Sequence, residues 1–222
     1  MSDIWVFGYG SLLWQPGFEY VESRMAVLPG RRRSLCVYSV VHRGTLSVPG
    51  LVFGLDRGGA CLGMAFRVDA RNVPEVVHYL REREQVTGVY QERWYTVWLD
   101  EARHRHVRAL CYVADPNHSQ YAGGLGLERQ ATIVRFARGG AGPNVDYVLN
   151  TARRLHELAI NDRYLDRLTG LIGRRPSQSL RGQVQRQGVW AHRLERAKYR
   201  PPRIKLPCHG QLTVHHRRNV GF

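Results

Sequence analysis

One glutamate in the sequence has a position that suggests acid–base chemistry. Glu84 lies four residues after Leu80, seven after Val77 and eleven after Val73, so it continues the apolar stripe of a predicted helix. Its carboxylate should therefore point inward, whereas Glu82, about 160° around the helix, should face solvent beside an arginine. Partial burial raises the pKa of a carboxyl toward the range useful to a general base. A structural ion pair with an arginine is the alternative.

A glycine loop is the second candidate. The segment Val6-Phe7-Gly8-Tyr9-Gly10-Ser11-Leu12 predicts a strand that runs into a loop with two glycines, where backbone N–H groups can approach a ligand. A dinucleotide-binding fingerprint would need a glycine at Leu13 and a following helix, and a phosphate loop would end in Gly-Lys-Ser/Thr. The sequence departs from both motifs and so argues against them, and an ordinary tight turn remains the alternative.

Two weaker candidates remain open. His42-Arg43-Gly44 follows a predicted strand and could be either a binding segment or a solvated loop. Tyr147, early in a predicted helix that begins at Asn144, could donate a hydrogen bond to a ligand or serve only in packing. His104 and His106 lack a third ligand nearby, so no metal site is expected there.

Short β-branched and aromatic runs must form the scaffold that positions these residues. They predict a barrel or a strongly curved sheet, with strands at Ile4–Phe7, Ser34–Val41, Leu51–Leu55, Cys61–Val68, Arg93–Leu99 and Val107–Ala114. Two helices are predicted, one starting at Asn72 with Glu75 three residues later and one at Asn144. No 20- to 50-residue repeat is found, which argues against solenoids and propellers.

Composition divides the chain in two. The 222 residues carry a net charge of +15, of which +11 falls in residues 174–222, a segment poor in periodic apolar positions. We therefore expect a catalytic domain over residues 1–173 and a basic, disordered tail over 174–222 that binds polyanions incidentally. No apolar run is long enough for a membrane span, and the N-terminus lacks a basic leader, so the expected location is cytoplasmic. Cys36, Cys61, Cys111 and Cys208 are far apart and are expected to be reduced.

Together, the glycine segment at 6–12, the His-Arg-Gly at 42–44, the Arg83-Glu84 helix end and the Gly142-Pro143 to Tyr147 helix start resemble the ChaC-type γ-glutamyl cyclotransferases. The resemblance spans residues 1 to about 172. Members of that family usually carry Gly-Gly-Tyr shortly after the catalytic glutamate, where this chain has Gly88-Val89-Tyr90.

The resemblance implies an α+β fold, a small mixed β-barrel with surrounding helices. It implies cleavage of glutathione to 5-oxoproline and cysteinylglycine without a cofactor or metal, with Glu84 as the catalytic base. The substrate-binding residues it implies are Val6, Phe7, Gly8, Tyr9, Gly10, Ser11, Leu12 and Tyr147. Two alternatives stay open: action on other γ-glutamyl amino acids or amines, and nucleic-acid binding through the basic tail.

Overall fold

The computed structural model describes residues 2–99 and 105–174. Five strands form a closed barrel in the order β1-β3-β2-β4-β5, and β5 also pairs in parallel with β1 and β3. The strands are β1 (Ile4–Gly8), β2 (Glu22–Ser39), β3 (Gly50–Val68), β4 (Tyr90–Leu99) and β5 (Arg105–Ala114). The predicted fold class, an α+β barrel with helices outside it, is confirmed.

Two strands are much longer than the sequence predicts. The predicted strands at Leu51–Leu55 and Cys61–Val68 are the two ends of β3, which continues through Gly58 and Gly59. Both glycines have positive φ, +90° and +65°, and the neighbouring β2 shifts register between Pro29 and Arg31. A glycine pair that predicts a turn thus forms a bulged bend inside a continuous strand, because positive φ suits either structure.

Four helices surround the barrel: α1 (Val73–Glu84), α2 (Leu127–Phe136), α3 (Asn144–Glu157) and α4 (Arg163–Gly173). The two predicted helices, α1 and α3, begin where expected, but neither start has a side-chain capping bond. In contrast, α4 was not predicted, and it begins after Asp162, whose carboxylate accepts the Leu165 N–H. Between α2 and α3 lies a small hairpin of β6 (Arg138–Gly139) and β7 (Gly142–Pro143).

Apolar side chains from all five strands fill the barrel. Its fully buried members include Phe7, Leu28, Leu35 and Leu55, each of which stabilises the fold by about 1.5–3 kcal/mol relative to exposure. Cys61 and Cys111 belong to this interior, whereas Cys36 packs in a separate cluster with Val37, Val89 and Ala114. All three are buried free thiols, and Cys208 lies outside the described residues. None of the described helices combines the length and apolarity required to cross a membrane.

The predicted domain boundary falls at the last residue of α4, Gly173. The basic tail, like His104, lies outside the described residues, so its predicted disorder stays a prediction.

Candidate active site

The glycine loop connects β1 to a short 3₁₀ helix at Ser11–Leu13. The Leu13 N–H donates to the Gly10 carbonyl at 3.0 Å, and the Trp14 N–H donates to the Ser11 carbonyl at 3.2 Å. The amides of Ser11 and Leu12 precede the first bonded turn and have no partner within it. The backbone at Gly10–Leu12 therefore has the conformation that can offer N–H groups to an anionic or carbonyl oxygen.

The two glycines of the loop serve different needs. A Cβ atom at Gly8 would lie 2.9 Å from Phe66 Cε2 and 3.1 Å from Leu12 Cβ, so Gly8 allows close packing against the core. A Cβ atom at Gly10 would lie 3.4 Å from the Tyr147 hydroxyl, which belongs to the predicted site. Gly8 therefore faces the core, whereas Gly10 faces the hydroxyl of Tyr147.

Three residues of the predicted binding segment belong to the core. Val6, Phe7 and Leu12 are buried, and the backbones of Val6 and Phe7 are paired with β3. Their side chains pack in the core beneath the loop, and the assignment of these three residues to substrate binding stays a prediction. Tyr9 is also buried, and its hydroxyl donates to the Tyr112 carbonyl at 2.7 Å.

Glu84 is the last residue of α1, and its side chain is only 16 % exposed. Burial raises the pKa of its carboxyl above the ordinary value, while the charge of Arg83 partly opposes that shift. Glu82, by contrast, is 70 % exposed and lies 3.5 Å from His78. The helix geometry predicted from the sequence, Glu84 inward and Glu82 outward, is the geometry observed.

Arg83 joins the glutamate to the glycine loop. Its Nε lies 3.2 Å from Glu84 Oε1, and a terminal nitrogen donates to Ser11 Oγ at 3.0 Å. The same guanidinium donates to the Gln15 carbonyl at 2.7 Å and the Pro16 carbonyl at 3.0 Å. The ion pair with an arginine is therefore present, and the same arginine also binds the glycine loop. The role of Glu84 as a base stays a prediction.

Tyr147 lies on α3, with its hydroxyl beside Gly10. Its hydroxyl accepts the Phe53 N–H at 3.1 Å, and burial raises its pKa, so the phenol stays protonated. One helical turn earlier, Asn144 accepts the Leu51 N–H at 2.6 Å and donates to the Leu51 carbonyl at 2.7 Å. Asn144, predicted as a helix start, thus docks α3 against the free edge of β3 and fixes the position of Tyr147.

A further tyrosine was not assigned to the site from the sequence. The Tyr90 hydroxyl donates to the Phe53 carbonyl at 2.6 Å, so two tyrosines bind the two backbone groups of one residue. Burial raises the pKa of Tyr90, and Tyr9, Tyr147 and Glu84 raise it further, which places all four groups in one electrostatic neighbourhood. The sequence feature that pointed to Tyr90 was its match to the tyrosine of the family's Gly-Gly-Tyr, since it is the last residue of Gly88-Val89-Tyr90.

His42 and Arg43 approach the same site. The Arg43 guanidinium carbon lies 5.4 Å from the centre of the Tyr147 ring, and Arg43 Nη1 donates to the Ala141 carbonyl at 2.5 Å. Desolvation lowers the pKa of His42, and the charges of Arg43 and Arg83 lower it further, so the imidazole is neutral at pH 7. The described residues contain no cluster of three or more metal-ligating side chains.

Comparison with known proteins gives the family of this chain. The family described as ChaC-like protein matches residues 4–175. The glutathione-specific gamma-glutamylcyclotransferase of Escherichia coli is 32% identical over 161 residues, which cover 72% of this chain and 69% of the relative. The human glutathione-specific gamma-glutamylcyclotransferase 1 is 36% identical over 151 residues, covering 67% and 68%.

A solved structure shares the fold. The crystal structure of a yeast gamma glutamyl cyclotransferase specific to glutathione superimposes with a TM-score of 0.73, at 22% identity, over 78% of this chain and 96% of that one. The family match covers more than half of the chain, and both curated relatives exceed 30% identity. This chain therefore belongs to the ChaC-like protein family.

Proposed function

We propose that this protein cleaves the γ-glutamyl bond of glutathione and releases 5-oxoproline and cysteinylglycine. The observation that carries the proposal is the coupling of a buried carboxylate, Glu84, to the glycine loop through Arg83. The names of the curated relatives supply the substrate and the reaction.

The reaction is an intramolecular aminolysis. The free α-amine of the glutamyl group attacks its own γ-carbonyl carbon and forms the C–N bond of a five-membered lactam. The C–N bond to cysteine then breaks, and cysteinylglycine leaves as an amine. No atom outside the substrate is incorporated, so the protein has to help carry protons away from the attacking nitrogen and onto the leaving nitrogen, and to stabilise one oxyanion.

Glu84 is the residue that carries out proton transfer. The α-amine is largely protonated near neutral pH and must lose a proton before it can attack. Glu84 accepts a proton from the attacking nitrogen and delivers a proton to the leaving nitrogen, acting first as base and then as acid. The attacking nitrogen starts as an ammonium and ends as a lactam N–H, so its second proton passes to solvent, and the released amine takes up one proton from solvent. Its raised pKa brings it closer to the pKa of the amine than an exposed glutamate would be, which favours the transfer.

The Gly8–Ser11 loop binds the glutamyl carboxylate and donates backbone hydrogen bonds to the oxyanion. Backbone donors aimed at a developing oxyanion contribute about 2.7–4 kcal/mol each in other acyl-transfer sites. The bonds from Arg83 to Ser11 and to the Gln15 carbonyl hold this loop in place, so the donors need not reorganise during the reaction. Tyr147 and Tyr90 both bind the backbone of Phe53, and the charge of Glu84 acts on both phenols.

The direct test is to incubate the purified protein with glutathione and to follow 5-oxoproline and cysteinylglycine by mass spectrometry. Equimolar formation of the two products supports the proposal. γ-Glutamylalanine and a γ-glutamylamine serve as competing substrates, and turnover of these two in preference to glutathione would instead favour the broader cyclotransferase activity.

A further inference from the structure

Arg43 is a cation held in a fixed position beside the candidate active site. Its Nη1 donates to the Ala141 carbonyl at 2.5 Å and to the Pro143 carbonyl at 3.3 Å. Its backbone N–H donates to Ser39 Oγ at 3.0 Å. Both ends of the residue are thus anchored, so its guanidinium is oriented before any ligand binds.

Among the described residues, no ion pair includes Arg43. The two arginines of α1 near the site already have partners, since Arg83 pairs with Glu84 and Arg81 binds Glu92 at 2.8 Å. Asp146 acts on Arg43 only at longer range, and partial desolvation lowers the pKa of the guanidinium. A partly desolvated cation without a carboxylate partner is unfavourable unless a ligand supplies one.

The distance of Arg43 from the reacting centre suits one end of the substrate. The Tyr147 hydroxyl lies at the Gly10 side of the site, while Arg43 packs over the ring of the same tyrosine, 5.4 Å from its centre. One side chain, Tyr147, therefore borders both the glycine loop and Arg43. The two residues of cysteinylglycine span at most about 7 Å, so a substrate whose γ-carbonyl lies at the loop has the length to extend along Tyr147 toward Arg43.

We propose that Arg43 binds the carboxylate at the glycine end of the substrate and thereby selects γ-glutamyl peptides over γ-glutamylamines. This inference rests on the proposed function. Arginine suits the role because its planar fork can donate two parallel hydrogen bonds to a carboxylate. The neighbouring His42 is neutral at pH 7, so it does not substitute for the positive charge of Arg43.

The test compares two substrates that differ only at the glycine end: glutathione and its C-terminal carboxamide. The wild-type protein should prefer glutathione. Arg43→Gln should lower kcat/KM for glutathione about 10- to 100-fold, the loss of one charge-assisted interaction, mainly through KM because the contact is equal in ground and transition states. The loss on the carboxamide should be several-fold smaller than the loss on glutathione, and Arg43→Lys should restore part of the glutathione preference.

Arg153→Gln is the matched control, since Arg153 is an exposed arginine on α3 whose side-chain partner among residues 2–99 and 105–174 is Asn150. It should leave both substrates unaffected. An equal loss on the two substrates in Arg43→Gln, or a wild type that does not distinguish them, would overturn the role of Arg43. Thermal melting of each variant separates a binding defect from loosening of the Ala141–Pro143 segment. A wild type that forms 5-oxoproline from neither peptide would instead refute the proposed function, and with it this inference.

Discussion

The guanidinium of Arg83 contacts the carboxylate of Glu84 at 3.2 Å and the hydroxyl of Ser11 at 3.0 Å. Two parts of the chain separated by more than 70 residues are thereby joined through one side chain. This contact explains how a helix end and a glycine loop, each ambiguous by itself, form one site.

Replacement of Glu84 should abolish turnover without unfolding the protein. Glu84→Gln keeps the shape of the side chain but cannot accept a proton, so kcat for glutathione should fall at least about 100-fold. Glu82→Gln, at a side chain that is 70 % exposed, should retain wild-type kinetics. Retention of more than about a tenth of kcat in Glu84→Gln would fall outside the range expected for loss of a general base.

The pH dependence of kcat/KM should report Glu84 and respond to Arg83. Only the ionised carboxylate acts as a base, so activity should rise with pH through the Glu84 pKa, which burial raises above 4.5. Arg83→Gln removes the charge that favours ionisation, so this rise should move to higher pH. Arg81→Gln, which breaks a pair with Glu92, should leave it in place. An acidic limb at the same pH in all three proteins would show that Glu84 does not control it.

The two loop glycines should respond differently to alanine. Gly8→Ala places a methyl group 2.9 Å from Phe66, so it should lower the free energy of unfolding by roughly 1–3 kcal/mol. Gly10→Ala meets nothing closer than the Tyr147 hydroxyl at 3.4 Å, so it should mainly raise KM by narrowing the site. Chemical denaturation and steady-state kinetics on both variants separate the two effects.

Ser11→Ala should have a milder effect than Gly10→Ala, because Ser11 is proposed to bind and not to attack. A γ-glutamyl adduct on Ser11 during turnover, detected by intact mass, would contradict that role.

For the two glycines, equal losses of stability in Gly8→Ala and Gly10→Ala would contradict the assignment of Gly8 to core packing and of Gly10 to the site.

Val89 should prove to be a stability determinant. Its side chain is 2 % exposed and packs with Cys36, Val37 and Ala114. Val89→Gly removes those contacts and frees the backbone, so the free energy of unfolding should fall by roughly 2–4 kcal/mol, with Val89→Ala intermediate. At a temperature where both proteins stay folded, the glycine variant should have the higher kcat/KM, as expected if rigidity before Tyr90 limits binding. Unchanged kinetics would show that rigidity at position 89 does not matter.

Removal of the basic tail should weaken polyanion binding without changing catalysis. A chain truncated after Gly173 loses +11 of the +15 net charge, and it keeps the bond from Arg135 to the Ile172 carbonyl near the end of α4. Its kcat and melting temperature should match the full chain, while the salt needed for elution from heparin should drop sharply. Loss of activity or unfolding would place the tail within the catalytic domain.

Several features of this protein follow from local sequence patterns. The inward position of Glu84 depends only on the 3.6-residue period of α1, and the strand-rich barrel depends on short β-branched runs. The motif resemblance added the family, which the comparisons establish. These signals are readable because each lies within about twelve consecutive residues.

Other features were decided by tertiary contacts. The bend at Gly58-Gly59 stays within one strand because β2 pairs with β3 both before and after these two glycines. The side chain of Asn144 binds the backbone of Leu51 and does not cap the start of α3. Tyr90 enters the site because the free edge of β3 offers the Phe53 carbonyl. The sequence determined which residues could do chemistry, whereas their assembly depended on hydrogen bonds and packing between segments far apart in the chain, which no local period encodes.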